Sequence, residues 1–150
     1  MGHPREISYC VGGGCLYIST SHFFLLKSSL GAGSNNYSKI MALKLLLLFV
    51  VEKECKIVHV FGDSLLIINW VNRVQRCHIS CLVPIFEEVM RIITTFDSIS
   101  FSHIYREHNQ LVDRISKEAS QLDYGRWHIN EQTAKGTFDY YHRSFHDGFF

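Results

Sequence analysis

The chain carries almost no net charge, no paired cysteine framework and no apolar run of membrane length. Fifteen Lys and Arg against fourteen Asp and Glu leave a formal charge of +1. No protein-wide basic field therefore draws it to nucleic acid, and any such contact must come from a local patch. The five cysteines, Cys10, Cys15, Cys55, Cys77 and Cys81, are odd in number and scattered, unlike the bridges of a small secreted domain. A reducing, intracellular setting, nuclear or cytoplasmic, is expected. The strongly apolar run Leu45 to Val51 is bracketed by Lys44 and Glu52 and falls far short of the roughly 20 residues that a bilayer span requires. A buried helix is expected there, and no membrane partner. The opening Met1-Gly2-His3-Pro4-Arg5-Glu6 lacks the apolar stretch of a signal peptide, and Glu6 stands where a myristoylation signal has Ser or Thr. No repeat or low-complexity segment is present. What remains is 150 residues at 47% hydrophobic and 19% charged, the composition of one globular domain with a real core rather than of a disordered chain.

Periodicity orders the elements. Cys15-Leu16-Tyr17-Ile18 and His22-Phe23-Phe24-Leu25-Leu26 are β-prone runs joined by a polar turn, a predicted hairpin. Leu30-Gly31-Ala32-Gly33-Ser34 breaks the chain, and Ser34 or Asn35 can cap a helix that reaches about Glu54. Its leucines surround the helical stripe Ile40, Leu43, Leu47 and Val50, which predicts cover on more than one side. Ile57 to Phe61, Gly62, Asp63-Ser64 and Leu65 to Val74 read as strand, tight turn and helix. Pro84 opens a helix through Phe96, Ile99, Phe101, His103 and Tyr105 alternate as a strand, and Asn109 caps a last helix to about Ser120. A hairpin followed by strands linked through helices is a mixed α/β sheet. Residues 1–122 form the expected domain, and residues 123–150, with Gly125, Gly136 and Gly148 among aromatics and histidines, form a tail without sustained period.

In open α/β sheets, sites form beyond the carboxyl ends of the strands. Asp63 holds such a place, and Asp113, in the first turn of the final helix, follows a strand expected nearby, so the two carboxylates can converge. Each can equally serve as a cap or a helix-dipole partner. Cys77, His78 and Cys81 are close, but no second pair follows at zinc-finger spacing. Gly12-Gly13-Gly14 lacks the Lys and Ser or Thr of a phosphate loop, and reads as a bulge or bend. His128, His142 and His146 are irregularly spaced and read as surface histidines. Trp127, Tyr140, Tyr141 and Phe145 can stack on bases or pack on the domain.

Three motifs in order carry a resemblance. Asn35-Asn36-Tyr37 opens an apolar helix, Gly62-Asp63-Ser64 follows a strand, and Arg106 to Asp113 precedes the helical Ser116-Lys117-Glu118-Ala119. Over roughly residues 2 to 120 the chain resembles the ribonuclease H-like domain, in particular the reverse-transcriptase-derived form abundant in plants. The resemblance implies cleavage of the RNA strand of an RNA/DNA hybrid by two magnesium ions. Several carboxylates are needed to hold that much positive charge together. It places Asp63 and Asp113 at two metal-binding, catalytic positions, and Asn35 and Asn36 at positions that contact the hybrid. Lys39 occupies the place of the family's Glu, and Gly2-His3-Pro4 resembles a turn that follows the family's first Asp. The first strand is therefore expected to be truncated, with its neighbours short of ladder partners, and the catalytic set to be incomplete. Lys39 is expected either to bridge Asp63 and Asp113 in place of a metal or to extend into solvent. Lys27, Arg73, Arg76, Arg106 and Arg114 are candidate phosphate contacts. No feature indicates an oligomeric state.

Overall fold

The computed structural model describes residues 5–10, 13–19, 21–28, 35–105, 114 and 127–141. Three consecutive strands open it: β1 (Arg5–Cys10), β2 (Gly13–Ser19) and β3 (His22–Ser28). Helix α1 (Asn35–Glu52), strand β4 (Ile57–Gly62), helices α2 (Leu65–Val71) and α3 (Val83–Ile93), and strand β5 (Ser98–His103) follow. Strands β6 (Trp127–Thr133) and β7 (Gly136–Tyr141) close the order. All seven join one sheet in the order β5-β4-β1-β2-β3-β6-β7. It is the mixed sheet expected, with β4 parallel to β1 and β5, and β1, β2, β3, β6 and β7 successively antiparallel.

The opening strand is only six residues long, yet it takes the central place. Ile7 pairs with Leu16 on one side and Val60 on the other, and Tyr9 with Gly14 and Gly62. The loss of ladder partners expected for β2 and β4 does not occur, because Arg5–Cys10 supplies them. Ile7 and Tyr9 are fully buried, with Leu16, Phe24, Leu26, Val58 and Val60 beside them on the same face.

Helix α1 covers that face. Ile40, Leu43, Leu45, Leu47 and Val50 are fully buried, and Ala42, Leu46 and Phe49 nearly so, because β1 and β2 lie on one side of the helix and α3 and α2 on others. The absence of a single apolar stripe is thus the signature of a helix enclosed by its neighbours. Burying each such leucine contributes about 1.5–3 kcal/mol. Lys44, at the margin, reaches Glu88 of α3 at 2.5 Å. Gly13 and Gly14 lie inside β2 instead of forming a bend: a Cβ on Gly14 would collide with Leu46 of α1, so the close approach of the helix explains the glycine.

Three boundaries fall short of the periodic pattern for local reasons. Helix α1 ends at Glu52, with Glu54 at φ 59° just beyond it. Helix α2 stops at Val71 because Asn72 caps it and Arg73 turns to φ 61°. Helix α3 stops at Ile93, where the Thr94 and Thr95 hydroxyls donate to the carbonyls of Arg91 and Ile92 at 2.6 and 2.7 Å, a competing local bond typical of threonine. Residues 127–141, read from sequence as tail, instead add β6 and β7 to the sheet beyond β3. The predicted last helix lies outside the described residues except for Arg114, which is helical and exposed. Among the described residues no helix is long and apolar enough to cross a membrane.

Candidate functional site

The carboxyl ends of β1, β4 and β5 lie together at one end of the sheet, since Tyr9 pairs with Gly62 and Gly62 with His103. The first residue beyond β4 is Asp63, half-buried, with its Oδ1 shielded from solvent. Ser64 follows as the cap of α2: its backbone is extended and its hydroxyl accepts from the Ile67 amide at 3.3 Å. The Gly-Asp-Ser motif therefore divides its labour. Ser64 starts the helix, and Asp63 is left at the sheet's end. Gly62 makes room for an aromatic ring, because a Cβ there would stand 2.5 Å from Cε1 of Tyr9.

Tyr9 is the neighbour that sequence reasoning missed. It is fully buried. Burial first, and the nearby negative charge of Asp63 second, push its phenol far above the ordinary tyrosine range, so it stays protonated at any physiological pH. The signal that could have found it is short: Ile7 and Tyr9 alternate with Glu6 and Ser8, the two-residue period of a strand.

The other sequence-predicted site residues distribute as follows. Asn35 and Asn36 are the first two residues of α1; Asn36 is half-buried, and the Asn35 side chain lies outside the described residues. Lys39 stands in the helix's second turn, half-buried. Among the described residues ion pairs join His22 to Glu131, Lys44 to Glu88 and His128 to Asp139, the charge that acts on Tyr9 is that of Asp63, and the expected bridge of Lys39 to Asp63 and Asp113 involves a residue outside the described ones. Asp113 and Arg106 lie outside the described residues. Lys27 stands at the same sheet end as Asp63, through Gly13 and Cys10, and pairs across to His128. Arg73 and Arg76 are exposed beyond α2. Arg114 lies close enough to Cys15 to favour its thiolate, although burial dominates and pushes that thiol up to about 12.

The family profile described as reverse transcriptase-like matches residues 22–119. The chain belongs to this family and is an RNase H-like domain. Its fold agrees with solved relatives. The RNase H1 of the archaeon Halobacterium salinarum aligns with a TM-score of 0.63 at 17% identity, covering 78% of this chain and 97% of that one. An N-terminal RNase H domain from Mycobacterium tuberculosis gives 0.62 at 15% identity, over 77% and 94%. The compost-derived LC11 RNase H1, solved in complex with an RNA/DNA hybrid, gives 0.61 at 19% identity, over 76% and 94%. A search of curated proteins by sequence finds no match. The profile begins at His22, so β1 and β2 lie outside it.

RNase H-like enzymes generally depend on magnesium, which asks for a convergence of hard oxygen ligands. Among the described residues no group of three or more His, Cys, Asp or Glu side chains gathers. The central strand offers the neutral phenol of Tyr9 beside Asp63. The described residues alone do not make up a two-metal cluster, and Asp113 lies outside them.

Proposed function

We propose that this RNase H-like domain binds nucleic acid, in particular RNA/DNA hybrid, weakly and without cleaving it. Asp63 and Asp113 are then remnants of the family's metal-binding carboxylates, and Asn35 and Asn36 contact the hybrid. The single observation that supports this reading is the company of Asp63: a buried, protonated Tyr9 stands beside it on the central strand. Water attack on a phosphodiester needs the developing charge on its oxygens to be neutralised, and a neutral phenol beside Asp63 adds no charge that would hold the ions to do so. Binding makes a lesser demand. Lys27 at the same end of the sheet, with the exposed Arg114, supplies phosphate contacts that need no sequence code.

The test is a labelled RNA/DNA hybrid incubated with the purified full chain and magnesium, alongside anisotropy measured without magnesium at several salt concentrations. Salt-sensitive binding with no cleavage supports the reading. Magnesium-dependent cleavage that disappears in Asp63→Asn replaces it with a working hybrid endoribonuclease. A folded chain that neither binds nor cleaves favours a protein-interaction module.

A further inference from the structure

The sheet has two edges, and they are finished differently. At one edge lies β5, whose Phe101 carbonyl accepts from the Asn72 side chain at the end of α2 at 3.1 Å. At the other lies β7, which among the described residues pairs only with β6. An edge strand presents a row of amides and carbonyls to any further strand, and proteins ordinarily guard that row with Lys, Pro or a bulge. Gly136-Thr137-Phe138-Asp139-Tyr140-Tyr141 contains no Lys, Arg or Pro, and its ladder with β6 runs without a register shift from His128 opposite Tyr141 to Thr133 opposite Gly136. The one charge in the strand, Asp139, is already engaged by His128 at 2.9 Å and Asn130 at 2.7 Å. Phe138 and Tyr140 are 49% and 50% exposed. Both stand on the sheet face of Ile129, which pairs with Tyr140 and packs against the core, so they carry the apolar surface outward to the edge.

The strand is complementary to itself. Residues directly opposite in an antiparallel pair share a face, so Phe138 can stand opposite Gly136, Phe138 or Tyr140 of a second copy. Opposite Tyr140, the pairing sets Asp139 against Asp139, and like charges so placed repel. Opposite Gly136, only residues 136–138 of β7 overlap. With Phe138 opposite Phe138, residues 136–140 of each copy pair: the two rings meet at the centre, Thr137 faces Asp139, and Tyr140 faces Gly136, where an aromatic ring covers a bare edge glycine. The last two contacts each occur twice, as two-fold symmetry requires.

We propose that β7 is the interface of a weak two-fold dimer, in which the β7 strands of two copies pair antiparallel about Phe138 and join their sheets into one. A strand of six residues makes an interface at the low end of the size range, so the dimer is reversible, with a dissociation constant on the order of 10–100 µM. It is also closed. Pairing uses the β7 edge of both copies, and Asn72 covers the β5 edge at Phe101, so assembly stops at two.

Sedimentation velocity of the full chain, from well below that constant to well above it, tests this. A shift from monomer to dimer with no larger species is expected. Phe138→Lys puts a charge at the symmetry axis and should weaken the dimer at least about tenfold, with the circular dichroism and the urea midpoint unchanged because the side chain is half in solvent. Oxidation in a Cys81→Ser background, which removes an exposed native thiol, reads the register: Phe138→Cys, opposite its own copy, should form a disulfide-linked dimer, and Thr137→Cys should not. A native chain that stays monomeric at the highest concentration overturns the proposal, and a fall in the urea midpoint of Phe138→Lys would then show the edge covered by another part of the same chain. Dimerisation that Phe138→Lys leaves unchanged overturns it by moving the interface to another surface. Assemblies beyond the dimer, or equal crosslinking at Thr137→Cys and Phe138→Cys, overturn it by removing the closed two-fold pairing.

Discussion

At the scale of single residues, the end of the sheet that carries Asp63 turns on Tyr9 and Gly62. Tyr9 sits where β1 comes level with Asp63, and Gly62 is the counterpart that lets it sit there. Gly62→Ala puts a methyl group into the Tyr9 ring, which is fully buried and cannot swing aside. The substitution should destabilise the fold by about 1–3 kcal/mol, the usual cost of overpacking. A fall in the urea midpoint with unchanged slope checks this. Asp63 was legible from sequence because a carboxylate after a strand and before a helix cap has a recognisable pattern. Tyr9 was not, because its importance depends on which strand lies beside β4, and no local pattern encodes that pairing.

Elements differed in legibility for a related reason. The β2–β3 hairpin, α1, β4, α3 and β5 bury apolar residues at their own period, and the sequence displays them directly. Strands β6 and β7 are tied instead by polar side chains. Glu131 accepts from Tyr140 at 2.8 Å and pairs with His22 of β3 at 2.7 Å. Asp139 pairs with His128 at 2.9 Å and accepts from Asn130 at 2.7 Å. Such a strand carries no apolar alternation, so 127–141 read as tail. The same bonds predict a pH response. Partial burial raises the Glu131 carboxyl, but the bonds from Tyr140 and His22 outweigh it and leave the pKa below the usual glutamate value. A depressed carboxyl contributes stability above its unfolded pKa of about 4.3, and that contribution is lost as the pH falls through the lower folded value. Attachment of the hairpin should therefore weaken below about pH 4. Glu131→Gln should cost less than about 1 kcal/mol at neutral pH and flatten the acid limb. Hydrogen exchange at the β3–β6 amides across that range reads both effects; an acid limb as steep in the variant as in the native chain would remove Glu131 from the explanation.

For the whole molecule, sheet and helices keep the architecture of an RNase H-like domain, and among the described residues no group of three or more His, Cys, Asp or Glu side chains gathers. The proposed separation of fold from activity is possible because they draw on different residues. The fold rests on the enclosed leucines of α1 and on a central strand that needs only Ile7, Tyr9 and backbone bonds, whereas the metal centre needs oxygen ligands at a few positions. Loss of such ligands would leave the core intact. The most direct test is a calorimetric titration of magnesium into the purified, folded chain. The account predicts no saturable binding through the low millimolar range, and the same flat response in Asp63→Asn. Saturable binding of magnesium that Asp63→Asn abolishes would contradict it and restore a metal centre to this end of the sheet.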